Sequence, residues 1–238
     1  MSITKQCLQG ALLGIALLIL PHNAAAEGGL AVGDSLPFFT LKSLNPAPGT
    51  SAYVSLDKMI GSSAVAPKKL VLVSFFATYC EPCKKELPYL AKLHQLYEKD
   101  GFSVIVVTID KEAEKIQEAN ELAQKHGVTF PVLSDRFNIV AKRYRVSKLP
   151  SVFLMDSAGR ATMVESGYNE DISKKLLTQV RQGLGKPTAD PIPPELHAFF
   201  PATNKVEPKV VGKAVSKKQY KKKHRKKRRK RSSKKSSK

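Results

Sequence analysis

Cysteine is scarce in this chain, which has three cysteines among its 238 residues. Cys7 lies in a candidate secretory leader and would be lost with it, so the mature chain would keep only Cys80 and Cys83. One pair excludes a framework of structural disulfides. The two residues also enclose so short a loop that a bond between them would restrict the unfolded chain very little. The pair is better explained by chemistry than by stabilisation.

The N-terminal apolar run is too short to cross a bilayer, which requires about 20 apolar residues. This run, Leu8 to Leu20, follows Lys5 and precedes three consecutive alanines, the pattern of a cleaved signal peptide. We expect residues 1–26 to be the signal peptide, so that the mature protein begins at Glu27 in an extracytoplasmic, periplasmic compartment. A retained membrane anchor is the alternative. A single close cysteine pair in an oxidising compartment favours catalysis.

Acidic residues are almost absent from the C-terminal end. Residues 204–238 contain 18 Lys or Arg against Glu207 alone, which gives +17 of the formal +20, while the remaining residues carry only +3. This segment has almost no apolar content, so we expect a disordered polybasic tail. Residues 217–238 suggest weak contact with an anionic membrane or envelope, although a solvated tail without function remains open. Nucleic acid is not expected, because Tyr220 is the tail's one aromatic residue.

Between leader and tail, apolar strands alternate with amphipathic helices. The patterns predict the following elements: strands over 70–76 and 102–109, helices over 84–99, 111–126 and 135–144, a hairpin of 151–155 with 161–165, and a last helix from Asn169 to about Gln182. Pro88 should kink the first helix. This order predicts one α/β domain over residues 27–185, with a mixed central sheet flanked by helices on both faces.

Two segments flank this predicted core. Residues 27–69 are punctuated by proline and glycine and fit short strands, an N-terminal strand extension. Residues 186–203 are rich in proline and are expected to form a linker, or a strap that Phe199 and Phe200 pack onto the domain.

Cys80 and Cys83 stand where the first long strand ends and the first helix begins. A thiol in the first turn of a helix meets unpaired backbone N–H groups and the positive end of the helix dipole, which favour its thiolate. The thiolate can attack a disulfide, and the second thiol, three residues later, can close on the mixed disulfide and release the product. The spacing therefore indicates a redox dithiol.

A zinc site is the main alternative for one C-x-x-C pair. It would need further ligands, and the histidines outside the leader are His94, His126, His197 and His224, none of them at ligand spacing. We expect no metal and no bound cofactor.

With these motifs the chain resembles the thioredoxin superfamily, and within it the exported ResA/TlpA-like thiol-disulfide oxidoreductases of the AhpC/TSA-Redoxin type. The resemblance spans about residues 32–182, and its marks are 33–38, 75–88, 127–132 and 149–154. It implies a thioredoxin-like fold, attack by Cys80, resolution by Cys83 and a redox-active Cys80–Cys83 disulfide. It further implies that the Leu149–Pro150 bond is cis and, with Tyr79, Glu81 and Pro82, lies at the substrate site.

One departure from the superfamily concerns proton handling. Thioredoxins carry a buried acid six residues before the first cysteine, where this chain has Ser74. The role would pass to a water or to Glu112 or Asp110, while a reading of both acids as solvated residues at a helix start remains open.

Glu81 places a negative charge between the cysteines and opposes thiolate formation. That favours a reductant over an oxidant. The resemblance implies protein disulfides as substrates, apocytochrome c among them, and a membrane thiol carrier as electron donor. We expect a monomer.

The nearest enzymatic alternative is a peroxiredoxin-like peroxidase, which would share the fold. It requires Thr or Ser three residues before the reactive cysteine, where this chain has Ala77. The other alternative is a protein that binds envelope anions or nucleic acid through its basic tail.

Overall fold

The computed structural model describes residues 29–61, 63–64 and 66–200. The predicted signal peptide, residues 201–203 of the predicted strap and the predicted tail lie outside these residues. Within the part of the chain that is described, no helix is both long and apolar enough to cross a bilayer.

The centre of the domain is one mixed sheet with the strand order β2-β1-β5-β4-β3-β6-β7. The strands are β1 Thr40–Ser43, β2 Tyr53–Ser55, β3 Leu70–Phe76, β4 Phe102–Thr108, β5 Val132–Ser134, β6 Ser151–Asp156 and β7 Ala161–Ser166. β3, β4 and β5 are mutually parallel, and the other neighbours pair antiparallel. The predicted N-terminal extension is β1 and β2, which lengthens the sheet beyond β5.

Within the described residues, four α-helices cover the sheet. They are α1 Glu81–Tyr97, α2 Ala113–Lys125, α3 Ile139–Arg143 and α4 Glu170–Gly183. α1 begins three residues before the predicted start because Cys80 caps it and Pro82 fits its first turn, where a missing N–H costs nothing. It continues through Pro88. Asn169 caps α4 by accepting a hydrogen bond from the Ile172 N–H, as its side chain predicts.

α3 is shorter than the predicted 135–144 helix. Asn138 adopts a left-handed conformation with φ of 55°, which interrupts any helix that starts before it. Both carboxylate oxygens of Asp135 accept hydrogen bonds from backbone N–H groups of the new helix, those of Ile139 and Ala141. Asp135, which the sequence pattern predicts as the first residue of this helix, therefore lies before α3 and caps it with its side chain.

The core lies on both faces of the sheet, since alternate residues of β3 and β4 point to opposite sides. Leu70, Leu72 and Phe76 pack in the cluster that contains α1, α2 and α4. Val71, Val73 and Phe75 pack in the cluster under α3 and the N-terminal segment. Strands covered on both faces explain the uninterrupted apolar runs in the sequence. The α/β fold with helices on both faces is thus confirmed.

The proline-rich segment after α4 packs along the domain. Phe200 is completely buried, and its ring and that of Phe199 stand edge-on to the Tyr89 ring of α1 at centroid distances of 6.0 and 5.4 Å. The Arg181 guanidinium donates to the carbonyls of Asp190 and Pro191 at 2.7 and 2.8 Å. Residues 186–200 therefore form a strap held by one arginine clamp and one aromatic cluster.

Truncating Phe200 to alanine should lower the free energy of unfolding by about 3 kcal/mol, because it leaves a cavity against Tyr89, which is itself completely buried. The measurement is denaturant unfolding. The matched control is Phe137→Ala, which removes the same atoms from a ring that is 70% exposed and should change stability by less than about 0.5 kcal/mol. Equal stabilities of the two variants would contradict the packing of the strap.

Candidate functional site

The strand register gathers the site at one edge of the sheet. Phe76, Thr108 and Ser134 are aligned across the carboxyl ends of β3, β4 and β5. The antiparallel strand β6 begins at the same edge, since its Ser151 lies opposite Phe75. The segments after β3, β4 and β5 and the segment before β6 are therefore neighbours, which brings Cys80, Asp110 and Pro150 to one place.

Cys80 and Cys83 form a disulfide with an S–S distance of 2.05 Å. Cys80 is the N-cap of α1, and its Sγ accepts a hydrogen bond from the Cys83 N–H at 3.3 Å. Cys80 is 8% exposed and Cys83 only 1%. The more accessible sulfur is therefore the one that faces the positive helix end, where a thiolate is stabilised once the bond is reduced.

Asp110 holds the loop that carries Cys80. It is buried, and its carboxylate accepts from the Thr78 N–H at 2.9 Å and from the Thr78 hydroxyl at 3.1 Å. The Thr108 hydroxyl donates to it at 2.7 Å. The reading of Asp110 as a solvated acid at a helix start is wrong, because these bonds fix the loop between β3 and α1 from the end of β4. Glu112, also considered for proton transfer, is exposed at the N-cap of α2 and makes no capping hydrogen bond.

The Leu149–Pro150 bond is cis. Pro150 is buried and its carbonyl accepts from the Gly167 N–H at 2.7 Å, which ties this turn to the end of β7. Leu149 is half-buried and touches both core clusters. The turn thus has a fixed backbone beside the disulfide.

The side chains between and before the cysteines face solvent. Tyr79 is 71% exposed, and Pro82 and Glu81 are exposed on the first turn of α1. The Lys84 ammonium donates to Glu81 at 2.8 Å and lowers the pKa of that carboxyl. Glu81 is therefore ionised, but its charge is partly balanced by Lys84. Its effect on the Cys80 thiolate is smaller than the sequence alone suggests.

Glu86 is a candidate site residue that sequence reasoning missed. It lies on α1, is 3% exposed, and accepts a hydrogen bond of 2.7 Å from the Ser74 hydroxyl of β3. Burial raises the pKa of this carboxyl to about 7, and the bond from Ser74 only partly opposes that shift. A buried acid therefore does stand at the place where thioredoxins have one, but it reaches the site from the helix instead of the strand.

A signal for Glu86 was present in the sequence. It follows Cys83 by three residues and precedes the buried Leu90 by four, so it belongs to the inward face of the helix. A charged residue on that face must be paired or have an altered pKa. Ser74 on β3 is then explained as the hydrogen-bond donor to the Glu86 carboxyl.

The described residues contain no cluster of three or more His, Cys, Asp or Glu arranged to hold a metal ion. The site itself offers a thiol pair at a helix start, a carboxyl that titrates near neutrality one turn along the same helix, and a fixed turn beside them. These groups suit thiol-disulfide exchange, in which a thiolate attacks a disulfide and a proton must be taken up and released.

Comparisons with known proteins agree with this geometry. The sequence profile of the AhpC/TSA family matches residues 32–163. The thiol-disulfide oxidoreductase ResA of Geobacillus kaustophilus is 33% identical over 167 residues, covering 69% of this chain and 87% of the relative. The ResA of Bacillus subtilis is 31% identical over 148 residues, covering 61% and 74%. A crystal structure of a candidate thiol:disulfide interchange protein DsbE from Chlorobium tepidum, 24% identical, matches the fold with a TM-score of 0.56, covering 66% and 99%.

Replacing Glu86 by glutamine should remove a pH dependence of stability. The unfolded carboxyl loses its proton near pH 4.5, whereas the folded one keeps it until about pH 7. Its contribution to folding is therefore complete below pH 4.5 and is lost as the pH rises to about 7. Between pH 5 and pH 8 the oxidised wild type should lose up to about 3 kcal/mol relative to Glu86→Gln, measured by denaturant unfolding. The control Glu112→Gln removes an exposed carboxyl and should keep the wild-type slope; an unchanged slope in Glu86→Gln would contradict the assignment.

Proposed function

This chain belongs to the AhpC/TSA family and is a thiol-disulfide oxidoreductase with a thioredoxin-like fold, and from that premise we propose that it reduces protein disulfides outside the cytoplasm. The observation that carries the proposal is the Cys80–Cys83 disulfide at the start of α1, with the more accessible sulfur at the helix end.

The proposed reaction begins with both cysteines reduced. The Cys80 thiolate attacks one sulfur of the client disulfide, which forms a Cys80–client bond and releases the other client sulfur as a thiolate that takes up a proton. Cys83 then loses its proton and attacks Cys80 Sγ, which forms the Cys80–Cys83 bond and frees the second client thiol. Two electrons and two protons pass from the enzyme to the client, and the cycle needs an external thiol reductant.

Glu86 is proposed to handle the proton of Cys83. The two residues occupy the same inward face of α1, one turn apart, in surroundings from which water is excluded. A carboxyl with a pKa of about 7 can take up and release a proton at neutral pH. Once ionised, it also disfavours a neighbouring thiolate. A less acidic dithiol is the more reducing one, so Glu86 and Glu81 favour the reducing direction.

The client and the electron donor are further parts of this proposal. Two of them carry the name thiol-disulfide oxidoreductase ResA, and this supports protein disulfides as substrates, with apocytochrome c as the specific proposal. We propose a membrane thiol carrier as the electron donor that recharges the pair. We propose a monomer in the periplasm, tethered weakly to anionic membranes by residues 217–238.

A peroxidase is less well supported by the site. Ala77 is completely buried and offers no hydroxyl to polarise a peroxide, and the Thr78 hydroxyl is already bonded to Asp110.

Cys80→Ser should abolish reduction of insulin disulfides, with the rate falling to that without enzyme, because no thiolate is left to attack. Cys83→Ser should also lose turnover but accumulate a covalent Cys80–client adduct, seen by non-reducing electrophoresis. Adduct formation also controls for folding, because an unfolded variant would not form an adduct at one defined cysteine. Adduct formation by Cys80→Ser in place of Cys83→Ser would reverse the two roles.

The reduction potential of the pair should lie near that of thioredoxin, about −270 mV. The measurement is equilibration with glutathione followed by alkylation of free thiols. A potential near −120 mV, that of a strong oxidant, would overturn the reducing direction but not the exchange chemistry.

A further inference from the structure

Two large apolar side chains protrude from the turn that joins β5 to α3. Phe137 is 70% exposed and Ile139 is 59% exposed. Exposed side chains of this size, two residues apart and next to further apolar surface, are characteristic of an interaction site. The redox chemistry described above makes no use of them.

Cations surround these side chains. Phe137 and Ile139 line a groove of about 410 Å³ together with Lys42, Arg136 and Arg143. The Arg136 guanidinium lies 5.2 Å from the centre of the Phe137 ring. None of the three cations makes an ion pair with an acid of the described residues. We call these five residues and Tyr53, which also lines the groove, the β5–α3 patch.

The single acid in the groove lining does not balance this charge at the surface. Asp135 is only 3% exposed, and its two oxygens accept backbone N–H groups of α3. The same bonds hold Phe137 and Ile139 in place, since they anchor the turn from within. The surface of the patch is therefore both apolar and positive, on a fixed backbone.

The β5–α3 patch lies on the active edge of the sheet. β5 ends in register with β3 and β4, so the turn after β5 and the loop carrying Tyr79 and Cys80 emerge on the same side. Lys42 and Tyr53 extend the patch outward, because Lys42 pairs with both Ser134 and Tyr53 across β1. Whatever binds the patch therefore lies at the same edge of the sheet as the disulfide.

We propose that the β5–α3 patch docks the domain on the surface of an anionic phospholipid bilayer, with Phe137 and Ile139 at the interface and the cations on the headgroups. Aromatic and aliphatic side chains beside Arg and Lys are the combination that interfacial binding requires. The chain's own basic tail does not fit, because its +17 repels the groove. The tail would bind the same anionic headgroups. Two separate cationic features on one chain fit an extended anionic surface better than they fit a single acidic protein.

Docking in this way brings the edge of the sheet that carries Cys80 to the bilayer. The tail alone would tether the domain in any orientation, whereas the patch selects one. This inference goes beyond the proposed function, and it is tested by a physical measurement that requires no redox activity.

The absence of tryptophan from the chain allows a direct test. Phe137→Trp in the mature chain introduces a single tryptophan at the patch, which can be excited selectively at wavelengths that tyrosine does not absorb. Adding vesicles of phosphatidylglycerol and phosphatidylcholine should shift its emission to the blue, and brominated acyl chains should quench it. Vesicles of phosphatidylcholine alone should do neither.

The matched control is Gln95→Trp, an exposed position toward the opposite end of α1, away from the active edge. It should be neither shifted nor quenched, although the same protein is bound. In the Phe137→Trp background, removing Arg136 and Arg143 by substitution with glutamine should weaken vesicle partitioning by about fivefold per cation.

Three outcomes would overturn the proposal. The first is an unquenched Phe137→Trp on anionic vesicles to which the protein is bound, which would leave tethering by the tail. The second is equal quenching at positions 137 and 95, which would show no preferred orientation. The third is quenching at position 137 that persists on neutral vesicles, which would remove the role of the cations.

Discussion

The hydrogen bond from Ser74 to Glu86 joins the two elements on which the site depends. Ser74 belongs to the central strand β3, and Glu86 to the helix that presents both cysteines. A buried carboxyl costs free energy unless it is bonded or neutral, and this one has a single donor and a pKa near 7. This hydrogen bond therefore positions α1 on the sheet, and the carboxyl that accepts it is a titrating group beside the dithiol.

Much of the fold could be predicted from local patterns, because the apolar runs of β3 and β4 and the capping residue Asn169 act over short distances. The limits of α3 could not, since Asn138 in a left-handed conformation and Asp135 as an external cap leave no mark on periodicity. The cysteine pair was evident for the same local reason: strand end, proline and helix start are consecutive.

The acid of the site was harder to find because it is defined by a contact across the fold. Ser74 and Glu86 are 12 residues apart and meet only when α1 lies on β3. The sequence alone offers a water, Glu112 or Asp110 for this role, and in the structure Asp110 fixes the Cys80 loop while Glu112 faces solvent. A buried carboxyl can therefore occupy the same place in the fold whether a strand or a helix carries it.

The strap has a consequence for the order in which the protein can assemble. Phe200 closes the aromatic cluster around Tyr89, yet it follows every strand and α-helix of the domain in the chain. While a nascent polypeptide still lacks this segment, Tyr89 of α1 is without two of its ring contacts, so the domain reaches its full stability only after residue 200 has been made.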